Sequence, residues 1–165
     1  MKFKESIQTL LLGLILSLCL FFSLETDLMA AEIATSAAAT AKEFPRLESA
    51  VDRYLMTIPD GYYTIGKVEE LKSLMAKSQP LLVDVREPAE YRAGHIPGAT
   101  NIPLQTLARN VNKIPTDRPV VLYCSTGYRS AMGVMTLHLL NYDNVQGFPP
   151  SFAGWKAAGE SISQD

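Results

Sequence analysis

The residue types best suited to chemistry in this sequence form one short stretch between two apolar segments. In chain order they are Cys124, Ser125, Thr126, Gly127, Tyr128, Arg129 and Ser130. The preceding run, 120–123, is apolar and rich in β-branched residues, as in a buried strand, and the following run, 131–140, is long enough for a buried helix. The pattern predicts a thiol at the carboxyl end of a strand, below loop N–H groups that can converge and in front of a helix N-terminus with partial positive charge.

This arrangement suits an anion, and a thiolate is itself an anion. We expect the loop to lower the pKa of Cys124, into the range of about 3.5 to 7.5 that activated cysteines show, and to leave the sulfur exposed as a nucleophile. Arg129 adds a fixed positive charge, Gly127 can adopt a positive φ where the loop turns back, and Ser130 offers a hydroxyl in the first helical turn. The simpler alternative is an ordinary buried cysteine with an unrelated surface arginine. The small residues, glycine and cation that follow Cys124 favour the anion site, because a structural cysteine gains nothing from them.

Short apolar runs alternate with helical patterns and define the elements that must position this loop. Strands are predicted at 81–85, 99–102, 120–123 and 145–148, with a short edge strand at 63–65. Helices are predicted at 68–75, 88–93, 104–111 and 131–140, and around Trp155. Such alternation predicts an α/β fold with a parallel central sheet and helices on both faces. Ligands of these sheets bind beyond the carboxyl ends of the strands, where Cys124 lies.

Four other polar side chains could be read as catalytic, but a structural role is the better prediction for each. Asp84 and Arg86 follow a predicted strand and are expected to form ion pairs and caps that hold the loops there. His95 lies in a Gly-His-Ile-Pro-Gly turn, where hydrogen bonding would fix the loop. His138 lies among leucines of a predicted buried helix and is expected to be a hydrogen-bonded structural histidine.

The N-terminal segment has the pattern of an export signal. Lys2 and Lys4 precede an apolar stretch, which ends before a candidate cleavage site at 28–30. We predict a signal peptide at 1–30 and therefore a periplasmic or other extracytoplasmic location. The alternative is an uncleaved membrane anchor through residues 7–24, a stretch near the lower length limit for a spanning helix.

The rest of the chain divides into three predicted parts. Residues 31–44 are predicted to be a linker, 45–62 an N-terminal helical extension and 63–165 the main domain. Lipid attachment at Cys19 is a less favoured alternative, because the preceding Leu18 is larger than the residue that such signals need. Signal cleavage would remove Cys19 and leave Cys124 as the sole cysteine, so any second thiol that reacts with Cys124 would have to come from outside.

Composition excludes two classes of function. The formal net charge is −2, with no basic block that would attract a nucleic acid, so no nucleic-acid partner is expected. The sequence contains two cysteines and two histidines, too few soft ligands for a Cys/His zinc site.

A family resemblance rests on the loop at 124–130 and on four segments in a fixed order. These segments are LLVDVREP at 81–88, EY at 90–91, GHIPGA at 94–99 and NIPL at 101–104. Over about residues 63–159 the chain resembles the single-domain rhodaneses, which are thiosulfate:acceptor sulfurtransferases. The resemblance implies a rhodanese-like α/β fold, and it implies no cofactor and no metal.

The resemblance also implies a mechanism. The Cys124 thiolate would attack the sulfane sulfur of thiosulfate or a related small sulfur anion, and the resulting persulfide would pass its sulfur to cyanide or an external thiol. Backbone N–H groups over 125–129 would stabilise the thiolate and the persulfide, and Arg129 would orient the donor. The implied substrate-binding residues are Ser125, Thr126, Gly127, Tyr128 and Arg129.

Two alternatives and one departure accompany this interpretation. Cysteine phosphatases of related loop design place five residues between Cys and Arg, whereas four residues separate Cys124 from Arg129, which favours sulfur over phosphorus. Rhodanese-like domains also serve as non-catalytic sulfur carriers or binding modules. The chain departs from the family pattern at Pro149 and Pro150, where paired glycines usually precede the tryptophan. This departure alters the rim of the site, on which acceptor preference depends.

Overall fold

The computed structural model describes residues 46–164 of the chain. Helix α1 covers 46–57, and the residues from Val51 onward form one compact unit. The later helices are α2 (Val68–Ser78), α3 (Pro88–Arg92), α4 (Tyr128–Leu139) and α5 (Ser151–Ala157). The strands are β1 (Leu81–Asp84), β2 (Thr100–Asn101), β3 (Val120–Tyr123) and β4 (Val145–Gly147), and a 3₁₀ segment covers Leu104–Lys113.

The four strands form a parallel sheet in the order β2-β1-β3-β4. All their carboxyl ends therefore lie at one edge of the sheet, and the loop that follows β3 leaves from the middle of that edge. The N–H of Val85 donates to the carbonyl of Tyr123 at 3.0 Å, so the β1–β3 pairing extends beyond the strands toward this loop. Such pairing fixes where Cys124 leaves the sheet.

Alternate residues of the central strands point to opposite faces, and each face has its own apolar cluster. On one face, Val120 and Leu122 pack with Val134 and Leu137 of α4. On the other face, Val121 packs with residues of α2 and α5, including Trp155, which is buried as expected of a core anchor. Side chains of a strand alternate in this way with a period of two, so helices on both faces can bury both sets.

The structure confirms the predicted α/β fold with a parallel sheet and helices on both faces. Three elements differ from the sequence prediction. The helix predicted at 104–111 is a 3₁₀ segment with a non-helical residue at Asn110 (φ −115°, ψ 19°). The edge strand predicted at 63–65 is reduced to a single parallel bridge between Thr64 and Gly147. Helix α4 begins three residues earlier than the predicted 131–140, so that Tyr128 and Arg129 belong to its first turn.

The predicted signal peptide at 1–30 and the linker at 31–44 lie outside the described residues. The predicted domain boundaries, including those of the extension at 45–62, stay predictions. Over 46–164, none of the helices combines the length and apolar character needed to cross a membrane.

Candidate active site

A tight turn carries the chain from β3 into α4. Gly127, the N-cap of α4, has φ 103°, a conformation that residues with a side chain rarely adopt. A Cβ atom at this position would lie 3.0 Å from the carbonyl oxygen of Pro149, so the site lacks space for one. Glycine at this position therefore meets two requirements, a positive φ and a close approach of the Pro149 backbone.

The turn directs several backbone N–H groups at one sulfur atom. The N–H of Gly127 donates to Cys124 Sγ at 3.1 Å. Burial alone would raise the pKa of the Cys124 thiol, but hydrogen bonds from the N–H groups of Ser130, Thr126, Gly127 and Arg129 outweigh it and lower this pKa below its usual value. The loop can therefore stabilise a sulfur anion at Cys124.

The expectation of an exposed thiol is wrong, because Cys124 is only 1% exposed. The reason is the alternation of side chains along β3. Like Val120 and Leu122, Cys124 points toward the face that α4 covers, and its side chain joins that apolar cluster. The sulfur therefore lies at the bottom of the loop, below the first turn of α4.

The predicted cation, Arg129, is held by a carboxylate from a different element. Its guanidinium donates to both oxygens of Glu90 in α3, at 2.6 Å to Oε2 and 2.8 Å to Oε1, and to Ser125 Oγ at 2.9 Å. The Ser125 hydroxyl donates in turn to Glu90 Oε1 at 2.9 Å. Glu90, Ser125 and Arg129 thus form a closed hydrogen-bonded group beside Cys124, and we call it the Glu90 clamp.

Electrostatics keep both charged members of the Glu90 clamp ionised. Hydrogen bonds from Arg129 are the main cause of a lowered pKa for Glu90. They outweigh the opposing effect of burial and bring this pKa to about 2. Hydrogen bonds to Glu90 are also the main cause of a raised pKa for Arg129, and the nearby charge of Cys124 adds to this effect. The carboxylate and the guanidinium therefore both stay charged around neutral pH.

The segment between β4 and α5 packs against the base of the loop. The buried Ser151 hydroxyl accepts the N–H of Cys124 at 3.3 Å, donates to the carbonyl of Phe148 at 2.8 Å and lies 3.9 Å from Cys124 Sγ. Ser151 has φ 54°, in the left-handed region that favours glycine. The departure at Pro149 and Pro150 thus places a strained serine directly against the cysteine.

The four polar residues assigned structural roles from sequence have such contacts. Arg86 binds both oxygens of the buried Asp84 and donates to the carbonyl of Gly94 at 2.7 Å. His95 Nδ1 lies 3.1 Å from the carbonyl oxygen of Tyr91, on whose ring it also stacks. His138 Nε2 lies 3.0 Å from the carbonyl oxygen of Val145. These contacts hold loops and helix ends in place.

The structure brings most of the predicted substrate-binding residues to the sulfur, but in different ways. Thr126 and Gly127 contribute backbone N–H groups, whereas Ser125 contributes its hydroxyl to the Glu90 clamp. Tyr128 is 81% exposed at the surface of α4. The roles of all these residues in a reaction stay predictions.

Sequence reasoning missed three contributors to the site. They are Glu90, the N–H of Ser130 and the Ser151 hydroxyl. Glu90 and Ser151 lie 34 residues before and 27 residues after Cys124 in the chain. Glu90 is marked only by the EY segment of the family resemblance, which indicates no contact with Arg129, and no local pattern links Ser151 to the loop. The earlier start of α4 explains the role of the Ser130 N–H, because it turns this group toward the sulfur.

Within residues 46–164, no group of three or more His, Cys, Asp or Glu side chains is arranged to hold a metal ion. In the same part of the chain, every buried side-chain nitrogen or oxygen has a hydrogen-bond partner. The groups that the described site brings together are the Cys124 sulfur, the backbone N–H groups directed at it and the Glu90 clamp.

Comparisons with known proteins agree with this geometry. The profile of the rhodanese-like domain matches residues 67–158. The protein YqhL of Bacillus subtilis is 41% identical over 87 residues, which cover 53% of this chain and 68% of YqhL. A sulfurtransferase of Allochromatium vinosum is 35% identical over 95 residues, or 57% of this chain and 89% of that protein.

A solved structure, the human single-domain sulfurtransferase TSTD1, superposes with a TM-score of 0.53 and 28% identity. The match covers 59% of this chain and 97% of TSTD1. The turn at Cys124, the parallel sheet and the family profile thus agree, and the chain belongs to the rhodanese-like family.

Proposed function

We propose that this protein is a sulfurtransferase that moves sulfane sulfur from thiosulfate, or a similar small sulfur anion, through a persulfide on Cys124. The observation that carries the proposal is the set of N–H groups directed at Cys124 Sγ, which lowers the pKa of the thiol. Such a set stabilises both the attacking thiolate and the persulfide anion that replaces it.

The first half-reaction transfers sulfur to the enzyme. The thiolate attacks the outer sulfur of thiosulfate, a new S–S bond forms, and the S–S bond of the donor breaks with its electron pair leaving on sulfite. One thiolate and one dianion become one persulfide anion and one dianion, so charge and electrons balance without an oxidant. Arg129, within reach of the sulfur, orients the anionic donor.

The second half-reaction releases the sulfur to an external acceptor. Cyanide attacks the outer sulfur of the persulfide to give thiocyanate, and a thiol acceptor gives a new persulfide; either reaction restores the thiolate. Cys124 is the sole cysteine over 46–164, so the part of the chain that forms the site supplies no second thiol. An outside acceptor fits this composition.

The relatives named sulfurtransferases support the proposed reaction class. The second candidate is a sulfur carrier, which would form the same persulfide but hand it to one partner without turnover on small acceptors. The same loop geometry favours it, because stabilising a persulfide serves a carrier as well as an enzyme. The two functions differ in whether cyanide or a small thiol regenerates the thiolate repeatedly.

The test compares the protein with its Cys124→Ser variant. We expect the unaltered protein to produce many equivalents of thiocyanate from thiosulfate and cyanide, and to show one added sulfur on Cys124 by mass spectrometry after treatment with the donor alone. The Cys124→Ser variant should lose both. A single equivalent of thiocyanate without turnover would favour the carrier.

Two results would contradict the proposal. Transfer that survives in Cys124→Ser would remove the cysteine from the mechanism. Hydrolysis of an aryl phosphate faster than sulfur transfer would favour the phosphatase alternative over the sulfurtransferase.

A further inference from the structure

Arg129, the cation beside Cys124, is paired with a carboxylate that a bound donor would also meet. Arg129 is bound through two nitrogens to the two oxygens of Glu90, and Ser125 completes the Glu90 clamp. Both ends of this ion pair remain accessible to a ligand, since the side chains of Arg129 and Glu90 are 32% and 36% exposed. A donor that approaches Arg129 therefore also approaches the Glu90 carboxylate.

The charges of the Glu90 clamp cancel. Its guanidinium carries one positive charge and its carboxylate one negative charge, and the carboxylate stays ionised because its pKa is lowered to about 2. A donor with two negative charges is attracted by Arg129 and repelled by Glu90, and it must also approach a thiolate. Both effects scale with the charge of the donor, so the Glu90 carboxylate takes away twice as much of the attraction to Arg129 from a donor with two negative charges as from a donor with one.

We propose that Glu90 is a specificity-determining residue that makes the site select sulfane donors with one negative charge over donors with two. The proposal rests on the proposed function. The substrate class it names is the thiosulfonates, R–SO₂–S⁻, in preference to thiosulfate, S–SO₃²⁻. Attack of the thiolate on the outer sulfur of a thiosulfonate breaks the donor S–S bond and releases a sulfinate with the electron pair, so this step balances as it does for thiosulfate.

The test uses two donors that differ by one charge and share one readout. Methanethiosulfonate and thiosulfate are each assayed with cyanide, and thiocyanate is measured in both cases. The measured quantity is the ratio of kcat/KM for thiosulfate to kcat/KM for methanethiosulfonate. Comparing this ratio between variants cancels the intrinsic difference in reactivity of the donors.

In the Glu90→Gln variant we expect this ratio to rise about tenfold. The removed carboxylate charge lies within a few ångström of the bound donor, and its loss favours thiosulfate more because thiosulfate carries one more negative charge than methanethiosulfonate. Arg129 keeps its hydrogen bond to Ser125 Oγ, at 2.9 Å, so one anchor of the guanidinium remains in the variant. The conservative variant Glu90→Asp keeps the charge and should keep the ratio within about twofold of the original value.

Glu160→Gln is the matched control. Glu160 forms an ion pair with Lys72 whose N–O distance is 2.6 Å, the same as in the Arg129–Glu90 pair. The variant also removes one carboxylate charge and a salt bridge of the same N–O distance, but it leaves the Glu90 clamp intact. We expect no change in the ratio, and thermal unfolding of all variants shows whether each is folded.

Three results would overturn the proposal. An unchanged ratio in folded Glu90→Gln, with transfer still abolished by Cys124→Ser, would refute charge selection and leave the proposed function intact. Equal changes for both donors would show that Glu90 only positions Arg129. If neither donor placed sulfur on Cys124 of the unaltered protein, the proposed function and this inference would both fail.

Discussion

Two arginine–carboxylate pairs lie near the carboxyl edge of the sheet, and both have a shortest N–O distance of 2.6 Å. In the Arg86–Asp84 pair the side chains are 4% and 0% exposed, whereas in the Arg129–Glu90 pair they are 32% and 36% exposed. The two pairs have the same chemistry and bond length but different access to solvent. That difference separates their roles.

The buried pair serves the architecture. Asp84 also accepts the backbone N–H of Arg86 at 2.9 Å, and the Arg86 guanidinium lies 4.2 Å from the centroid of the Phe152 ring. The hydrogen bond from Arg86 to the Gly94 carbonyl connects the loop after α3 to the end of β1. The side chains of the buried pair are 4% and 0% exposed, so its hydrogen bonds are far less accessible to a ligand than those of the Arg129–Glu90 pair.

The half-exposed pair can exchange partners. A small anion can reach Arg129 from solvent, and Glu90 is then a competitor for the same guanidinium. Surface ion pairs contribute little to stability, so this one can serve specificity at low structural cost. The bond lengths do not distinguish the two pairs, whereas exposure and the contact with Ser125 of the Cys124 loop associate the Arg129–Glu90 pair with the candidate chemistry.

Replacing each arginine by methionine gives the largest expected contrast. Arg86→Met leaves the Asp84 carboxylate buried without its partner and should lower the free energy of unfolding by about 3–5 kcal/mol. Arg129→Met should lower it by no more than about 1 kcal/mol, while kcat/KM for thiosulfate falls about 100-fold because an oriented donor to the anion is lost. Denaturant unfolding and the thiocyanate assay measure the two effects. A larger loss of stability for Arg129→Met than for Arg86→Met would reverse the comparison.

A substitution at Gly127, in the turn that precedes Arg129, should lower the free energy of unfolding by less than Arg86→Met does. In Gly127→Ala the new Cβ would be 3.0 Å from the Pro149 carbonyl oxygen at φ 103°. Denaturant unfolding should therefore show a free energy of unfolding lower by about 2–4 kcal/mol, and sulfur transfer should drop as the N–H groups shift.

Gly159→Ala is the control for the positive φ alone. Gly159 has φ 75°, and a Cβ added there would meet nothing within 4 Å, so the change should lower the free energy of unfolding by about 1–2 kcal/mol and leave activity unchanged. Equal destabilisation by the two alanines would show that contact with Pro149 is unimportant.

The sequence was sufficient to predict the parallel α/β fold and the site loop because both depend on local patterns. The apolar run 120–123 matches β3, and the proline and glycine that bound 88–93 place α3 correctly. The cysteine, the glycine turn and the arginine lie within six consecutive residues, so their proximity needed no knowledge of tertiary structure.

What the sequence could not supply depends on contacts between distant segments. Glu90 meets Arg129 across 39 residues, and only the parallel sheet brings α3 beside α4. Cys124 is buried because its side chain points to the face of β3 that α4 covers. The expectation of an exposed thiol did not take into account which face of the strand Cys124 occupies. The helix predicted at 104–111 became a 3₁₀ segment, although its apolar spacing alone is compatible with either form.

Titration of the Cys124 thiolate measures directly whether the loop N–H groups overcome burial and stabilise a sulfur anion. The difference in thiolate absorbance between the protein and Cys124→Ser, followed against pH, isolates this sulfur from Cys19 and the tyrosines. We expect a midpoint below about 8.5, the pKa of a free cysteine, so that the thiolate persists as the pH falls until the lowered pKa is reached. A midpoint at or above about 8.5 would show that burial dominates and that the loop does not stabilise a sulfur anion at Cys124.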